Sequence, residues 1–323
     1  MVVETKLRSK SPAWGRIIGG VGVVCLAFAA TRATHLIFES TLINWPGPMG
    51  SGSFDIVHGR GVAPEQYHYL PHLLAVLLAK VVGFKIAVNA LAFLSLSAFF
   101  FVVLYVAWPG RSAYEKVAVC AFVAFFYPIS MFFGARFDTS LFLFLMMIGL
   151  WLADRPFPYL LLIAAFSAAR ADYALILALF VLADAFECRR KDIAIYVAAV
   201  LVPLGVQILF WIIFASSAYY TKVLTFEENF SGEVLKSPGL WYAIGLAALL
   251  FYLAPAKRRD EATEKRTRVA RTAKLATLCL YVLCIVAVGR LRELRLLLPA
   301  LPLVLVLVWG PAYPPVKHAR GSA

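Results

Sequence analysis

Apolar runs separated by short polar turns dominate this chain. They occupy 16–38, 86–108, 115–134, 138–153, 192–215, 238–255, 273–289 and 294–311. At 1.5 Å per helical residue, most of them approach or exceed the roughly 30 Å of a bilayer's hydrocarbon core, so each is predicted to be a membrane helix. Two further stretches decide the topology. His68 to Gly83, HYLPHLLAVLLAKVVG, makes a helix of about 24 Å, too short to cross and suited to an interfacial or half-inserted position. Residues 157–186 make about 45 Å if straight, but Arg170 and Asp172 at the middle would then lie at the bilayer centre. Two shorter tilted spans meeting near Arg170 avoid that cost.

Loop charge orients the array. With the N-terminus cytoplasmic, the cytoplasmic side receives Arg111, Lys116, Arg155, the Arg189, Arg190 and Lys191 cluster, and the basic loop from Lys257 to Lys274. The prediction is an all-α membrane protein of about ten transmembrane helices, with both termini inside and a non-cytoplasmic first loop carrying an interfacial helix. It forms a single integral membrane domain over 1–323. Within it lie a core at 16–255, a basic cytoplasmic loop at 256–274 and a C-terminal helix pair at 275–311.

Composition agrees: 62% of the 323 residues are hydrophobic and 15% are charged, outside the range of soluble domains. The net charge of +13 then reads as orienting loop charge, and nucleic-acid binding is excluded. The five cysteines, Cys25, Cys120, Cys188, Cys279 and Cys284, mostly sit in apolar runs without metal-ligand spacing, so neither a disulfide frame nor a zinc site is expected. KLRSK followed by the run from Ile17 to Phe38 reads as an uncleaved first span.

In such a chain the ionisable residues near segment ends are functional candidates, because charge at membrane depth is expensive. Asp55, His58, Glu65 and His68 lie in the first loop ahead of the interfacial helix. Asp55, with Glu65 as substitute, is placed to act as a general base at the membrane surface; the alternative is a solvated loop whose acids cap a helix. His58, His68 and His72 with these acids are candidates for a divalent ion, although no HExxH pattern is present, Pro71 disturbs the helical turn, and no cofactor is otherwise implied. Arg136 with Asp138, and Arg170 with Asp172, offer two pairs that either orient a polar substrate or satisfy each other. The turn carrying Arg290, Arg292, Glu293 and Arg295 places positive charge on the predicted non-cytoplasmic face, where it either meets an anionic head group or marks a local reversal of topology.

The stretch YPISMFFGARFDTSLFLFLMMIGLWLA followed by SAARADYAL is similar to the core pattern of the second mannosyltransferase of GPI-anchor synthesis and its bacterial relatives. EQYHYLP and RELRLLLPALP resemble segments of small bacterial membrane proteins of the same broad type. Together these residues resemble the polytopic GT-C glycosyltransferases. The resemblance implies a GT-C-like fold in a bacterial inner membrane, with the active face periplasmic or extracellular. It implies transfer of a sugar, mannose in the named relatives, from a polyprenyl-phosphate carrier to a glycan, lipid or protein acceptor of the cell envelope. It assigns the first-loop acid to Asp55, the polar turn to Arg136 and Asp138, and the helix-ending arginine to Arg170. His58, His68, Asp172, Arg292, Glu293 and Arg295 join these as substrate- or phosphate-binding candidates. A transporter or flippase of a lipid-linked or anionic solute is the alternative, since intramembrane acid and arginine pairs suit a translocation path too.

Overall fold

The computed structural model describes residues 13–43, 53–61, 67–130, 137–187, 192–214, 238–253, 272–283, 285 and 296–312. These residues are helical or in turns, with no strand among them. In chain order the helices are α1 (Ala13–Ile43), α2 (Ser53–Val57), α3 (Tyr69–Val82), α4 (Phe84–Phe101, running into a π turn at Val102–Val106), α5 (Ala113–Ser130) and α6 (Asp138–Leu152). They continue as α7 (Pro156–Glu187), α8 (Ile193–Ile213), α9 (Pro238–Leu253), α10 (Thr272–Leu283) and α11 (Leu301–Trp309).

Three helical stretches are long and apolar enough to cross a membrane: Phe84–Val106, Pro156–Phe186 and Ile193–Ile213. The outward faces are apolar as well. On α8, Leu201, Ile208, Trp211 and Ile212 are exposed, a continuous patch that water would penalise and hydrocarbon accepts. The molecule is therefore an all-helical membrane protein.

The stretch 156–187 is not one rod. Arg170 leaves the helix with φ −165° and ψ 98°, and the chain turns back there. The Tyr159 hydroxyl donates to the Leu177 carbonyl at 3.3 Å, although 18 residues of straight helix would separate them by about 27 Å. Tyr159 also packs against Tyr196 near the start of α8, with centroids 5.8 Å apart, so the start and end of α7 share one end of the bundle. The two limbs, before and after Arg170, form a helical hairpin that brings Arg170 and Asp172 to its tip.

α6 packs into this hairpin. A Cβ built on Gly149 would stand 2.5 Å from Leu177 Cδ2 and 3.2 Å from Leu162 Cδ2, one atom from each limb. Gly149→Leu is expected to force the limbs apart and to cost about 1–3 kcal/mol of stability, read as a lowered thermal midpoint in detergent.

The end opposite the Arg170 tip is tied by polar groups that the sequence reading places in cytoplasmic loops. At the π turn the ladder of α4 changes register, and the buried Lys116 ammonium caps it by donating to the Leu104 carbonyl at 3.2 Å. Trp108 Nε1 donates to Gly310 O at 2.8 Å, and the Arg111 guanidinium lies 5.8 Å from the Trp309 ring, fastening the end of α11. Lys274 departs further from expectation. The predicted loop to 274 gives way to helix from Thr272, and Lys274 is buried in an ion pair with Asp184 of α7. An apolar bundle admits such a cation only beside a compensating anion.

Candidate functional site

Polar side chains from four helices meet at the Arg170 end. The short helix α2 is closed by Gly59, whose φ of +72° few side chains adopt, and by Arg60 N donating to Asp55 O at 2.7 Å. Its first residue, Ser53, shares a 2.8 Å hydrogen bond with His72 Nδ1, binding α2 to the start of α3. Pro71 does not disturb α3, since it lies in the first turn, where its missing N–H would have no partner. His68 precedes the helix in a non-helical conformation, and both imidazoles are buried.

Asp138 opens α6 at the same place. Its side chain is 1% exposed, and neither carboxylate oxygen accepts a hydrogen bond from the described residues. The His68 Nδ1 atom stands 3.8 Å from Oδ2, beyond hydrogen-bond range. Leaving a buried polar group unsatisfied costs about 1–3 kcal/mol, more for a charge. His72 Nε2 is likewise buried and unpartnered. The His72 ring meets the Phe137 ring edge-on at 5.5 Å, beside Asp138 in the chain. Two orphaned polar groups therefore flank one another.

Phe142, one turn into α6, joins this pair to the hairpin tip. His68 contacts its ring at a centroid distance of 6.0 Å, and the Arg170 guanidinium lies 5.8 Å from it. Arg170 is already engaged. Its Nε donates to Asp172 Oδ1 at 2.9 Å and its Nη2 to Oδ2 at 3.2 Å, while the guanidinium covers the Tyr173 ring at 4.4 Å. The local ion pair, one of the two readings open from sequence, is what forms here. The Tyr173 hydroxyl donates to Leu296 O at 3.2 Å, and Tyr281 donates to the same carbonyl, so the chain re-enters this end just ahead of α11.

The other predicted residues divide. Asp55 is half-buried on α2, and among the described residues its carboxylate has no hydrogen-bond or ion-pair partner. His58 is exposed, stacked on Phe54 at 4.7 Å, and bonded through Nδ1 to Phe54 O at 2.7 Å, so it serves its own helix. Glu65, Arg136, Arg292, Glu293 and Arg295 lie outside the described residues. Among the described residues no group of three or more His, Cys, Asp or Glu is gathered closely enough to hold a metal ion. Ser53, Phe142 and Tyr173 organise the site without having been candidates; Phe142 and Tyr173 lie in the two stretches that carry the resemblance, and Ser53 is two residues from Asp55, which are the signals that could have marked them.

α3 lies outside the three long spans, and burial there lowers the His72 pKa from 6.5 to about 4, opposed by the neighbouring Asp138 charge. His72 is thus neutral at pH 7. Between pH 6.5 and about 4 the unfolded chain binds a proton that the folded one refuses, so stability falls as pH drops through this window. The expected loss is about 3 kcal/mol by pH 4, with no contribution above pH 6.5. Thermal unfolding as a function of pH measures it, and His72→Gln should flatten the slope.

No family model, curated protein or solved structure matches this chain.

Proposed function

We propose that the protein is an inverting membrane glycosyltransferase of GT-C type, moving a sugar from a polyprenyl-phosphate carrier to an acceptor hydroxyl on the non-cytoplasmic face of a ten-span bundle. The observation that carries the reading is the convergence of His68, His72, Asp138 and the Arg170–Asp172 pair, brought from separate parts of the chain, at one end of a largely apolar bundle. Charge is costly in that setting and tends to be kept where function needs it.

In this mechanism Asp55 removes the acceptor's proton as its oxygen attacks the anomeric carbon, on the face opposite the carrier phosphate. Polyprenyl phosphate departs as an anion and needs no protonating acid. It does need positive charge where its own develops. Arg170 is neutralised by Asp172, so this duty passes to Arg292 and Arg295, which precede Leu296 in the chain. The α3 helix, with Leu77, Val81 and Val82 exposed toward its C-terminal end, offers an apolar surface for the prenyl chain.

Purified protein in lipid nanodiscs, given labelled polyprenyl-phosphate sugars and a panel of acceptors, is expected to release bare polyprenyl phosphate and label an acceptor. Failure to bind any such lipid would overturn the reading.

A further inference from the structure

We propose that Asp138 and His72 hold the hydroxyl groups of the transferred sugar, and that this pair, not the arginines, is where the enzyme distinguishes a sugar-bearing carrier from a bare one. The inference rests on the glycosyltransferase reading and adds to it the chemical end of the donor that this part of the site receives.

Asp138 presents two buried acceptor oxygens with no donor, and His72 presents one buried ring nitrogen with no partner. These orphans are not two halves of one missing bond, because each is left unsatisfied with the other nearby. A ligand that satisfies both must donate a hydrogen bond to a carboxylate and exchange a second one with a neutral imidazole. The hydroxyl is the group that donates and accepts through one atom, and adjacent hydroxyls on a sugar ring do so side by side.

Ser53 sharpens the match. When its hydroxyl donates to His72 Nδ1, Nε2 carries the proton and points a donor into the site, beside the acceptor oxygens of Asp138. Phosphate fits poorly at the same place, since a carboxylate repels it and, among the described residues, the guanidinium at this end, that of Arg170, is occupied by Asp172. The donor would therefore enter with its neutral, hydroxyl-rich end against Asp138 and its phosphate directed away. Phe137 and Phe142, whose rings the two imidazoles contact edge-on, supply apolar surface for the C–H face of a sugar ring.

The test compares lipids by competition binding in nanodiscs: bare polyprenyl phosphate, the same carrier bearing mannose, glucose or galactose, and monodeoxy versions of whichever sugar binds best. The wild type is expected to prefer one sugar-bearing lipid over the bare carrier by at least about tenfold, and to lose that preference for a particular monodeoxy form. Asp138→Asn should bring the sugar-bearing lipids to the affinity that the same variant shows for the bare carrier. Ser53→Ala, which frees the His72 ring, should reduce the preference in part and serves as a second variant if Asp138→Asn folds poorly. A wild type that binds bare and sugar-bearing carriers equally would sink this inference and leave the lipid-carrier reading standing. A wild type that binds neither would remove both. An Asp138→Asn protein that keeps the full preference would likewise overturn the inference.

Discussion

Asp55→Asn is expected to lower the rate of sugar transfer by about a hundred- to ten-thousand-fold, the range in which a positioned general base contributes. Asparagine preserves the volume and polar character of the side chain while removing its charge and its ability to take a proton. The Asp55 carboxylate is half-buried and makes no hydrogen bond or ion pair among the described residues, so the substitution should leave folding and the thermal midpoint nearly unchanged. α2 remains anchored through Ser53, two residues away from the change, and its bond to His72. Donor binding should also persist, because the base acts on the acceptor. The decisive pattern is a collapse in kcat with donor affinity retained. Transfer that continues at the wild-type rate in a folded Asp55→Asn protein would dismiss Asp55 as the base.

The helical segments were readable because long apolar runs bounded by polar turns leave a strong signature. The predicted run 138–153 meets α6 at Asp138–Leu152, and 192–215 meets α8 at Ile193–Ile213. The turn at Arg170 was readable for a different reason: two charges in mid-run have no inexpensive place in a straight span, and the backbone breaks at the first of them. What escaped notice were features made by pairing across the fold. Nothing near Lys274 in sequence names Asp184 as its partner, so a buried cation read as a loop anchor. Whether Arg136 pairs with Asp138 lies outside the described residues; among those that are described, Asp138 has His68 and His72 as neighbours, both from the start of α3 and far from it in the chain. Sequence proximity does indicate Asp172 as the partner of Arg170, because a turn of one residue leaves both at the same tip.

The opposite end of the bundle yields the largest expected loss of stability. Asp184→Ala should destabilise the protein by about 3–5 kcal/mol, the cost of stripping the partner from a buried ion. The Lys274 side chain is 11% exposed, and beyond Asp184 its described surroundings include the face of Phe180 at 5.5 Å. That ring attracts a cation but compensates only a fraction of its lost hydration. The pair also joins the second limb of α7 to α10, so breaking it should loosen α10 before the rest. Removing both charges gives the opposite result. Asp184→Val with Lys274→Met comes near to the original combined volume, discards two desolvated ions together, and is expected to match or exceed wild-type stability. Thermal unfolding of the wild type, Asp184→Ala and the double variant in one detergent provides the comparison. If the single and double variants lose equal stability, the carboxylate does not compensate Lys274, and the energetic case for the ion pair falls.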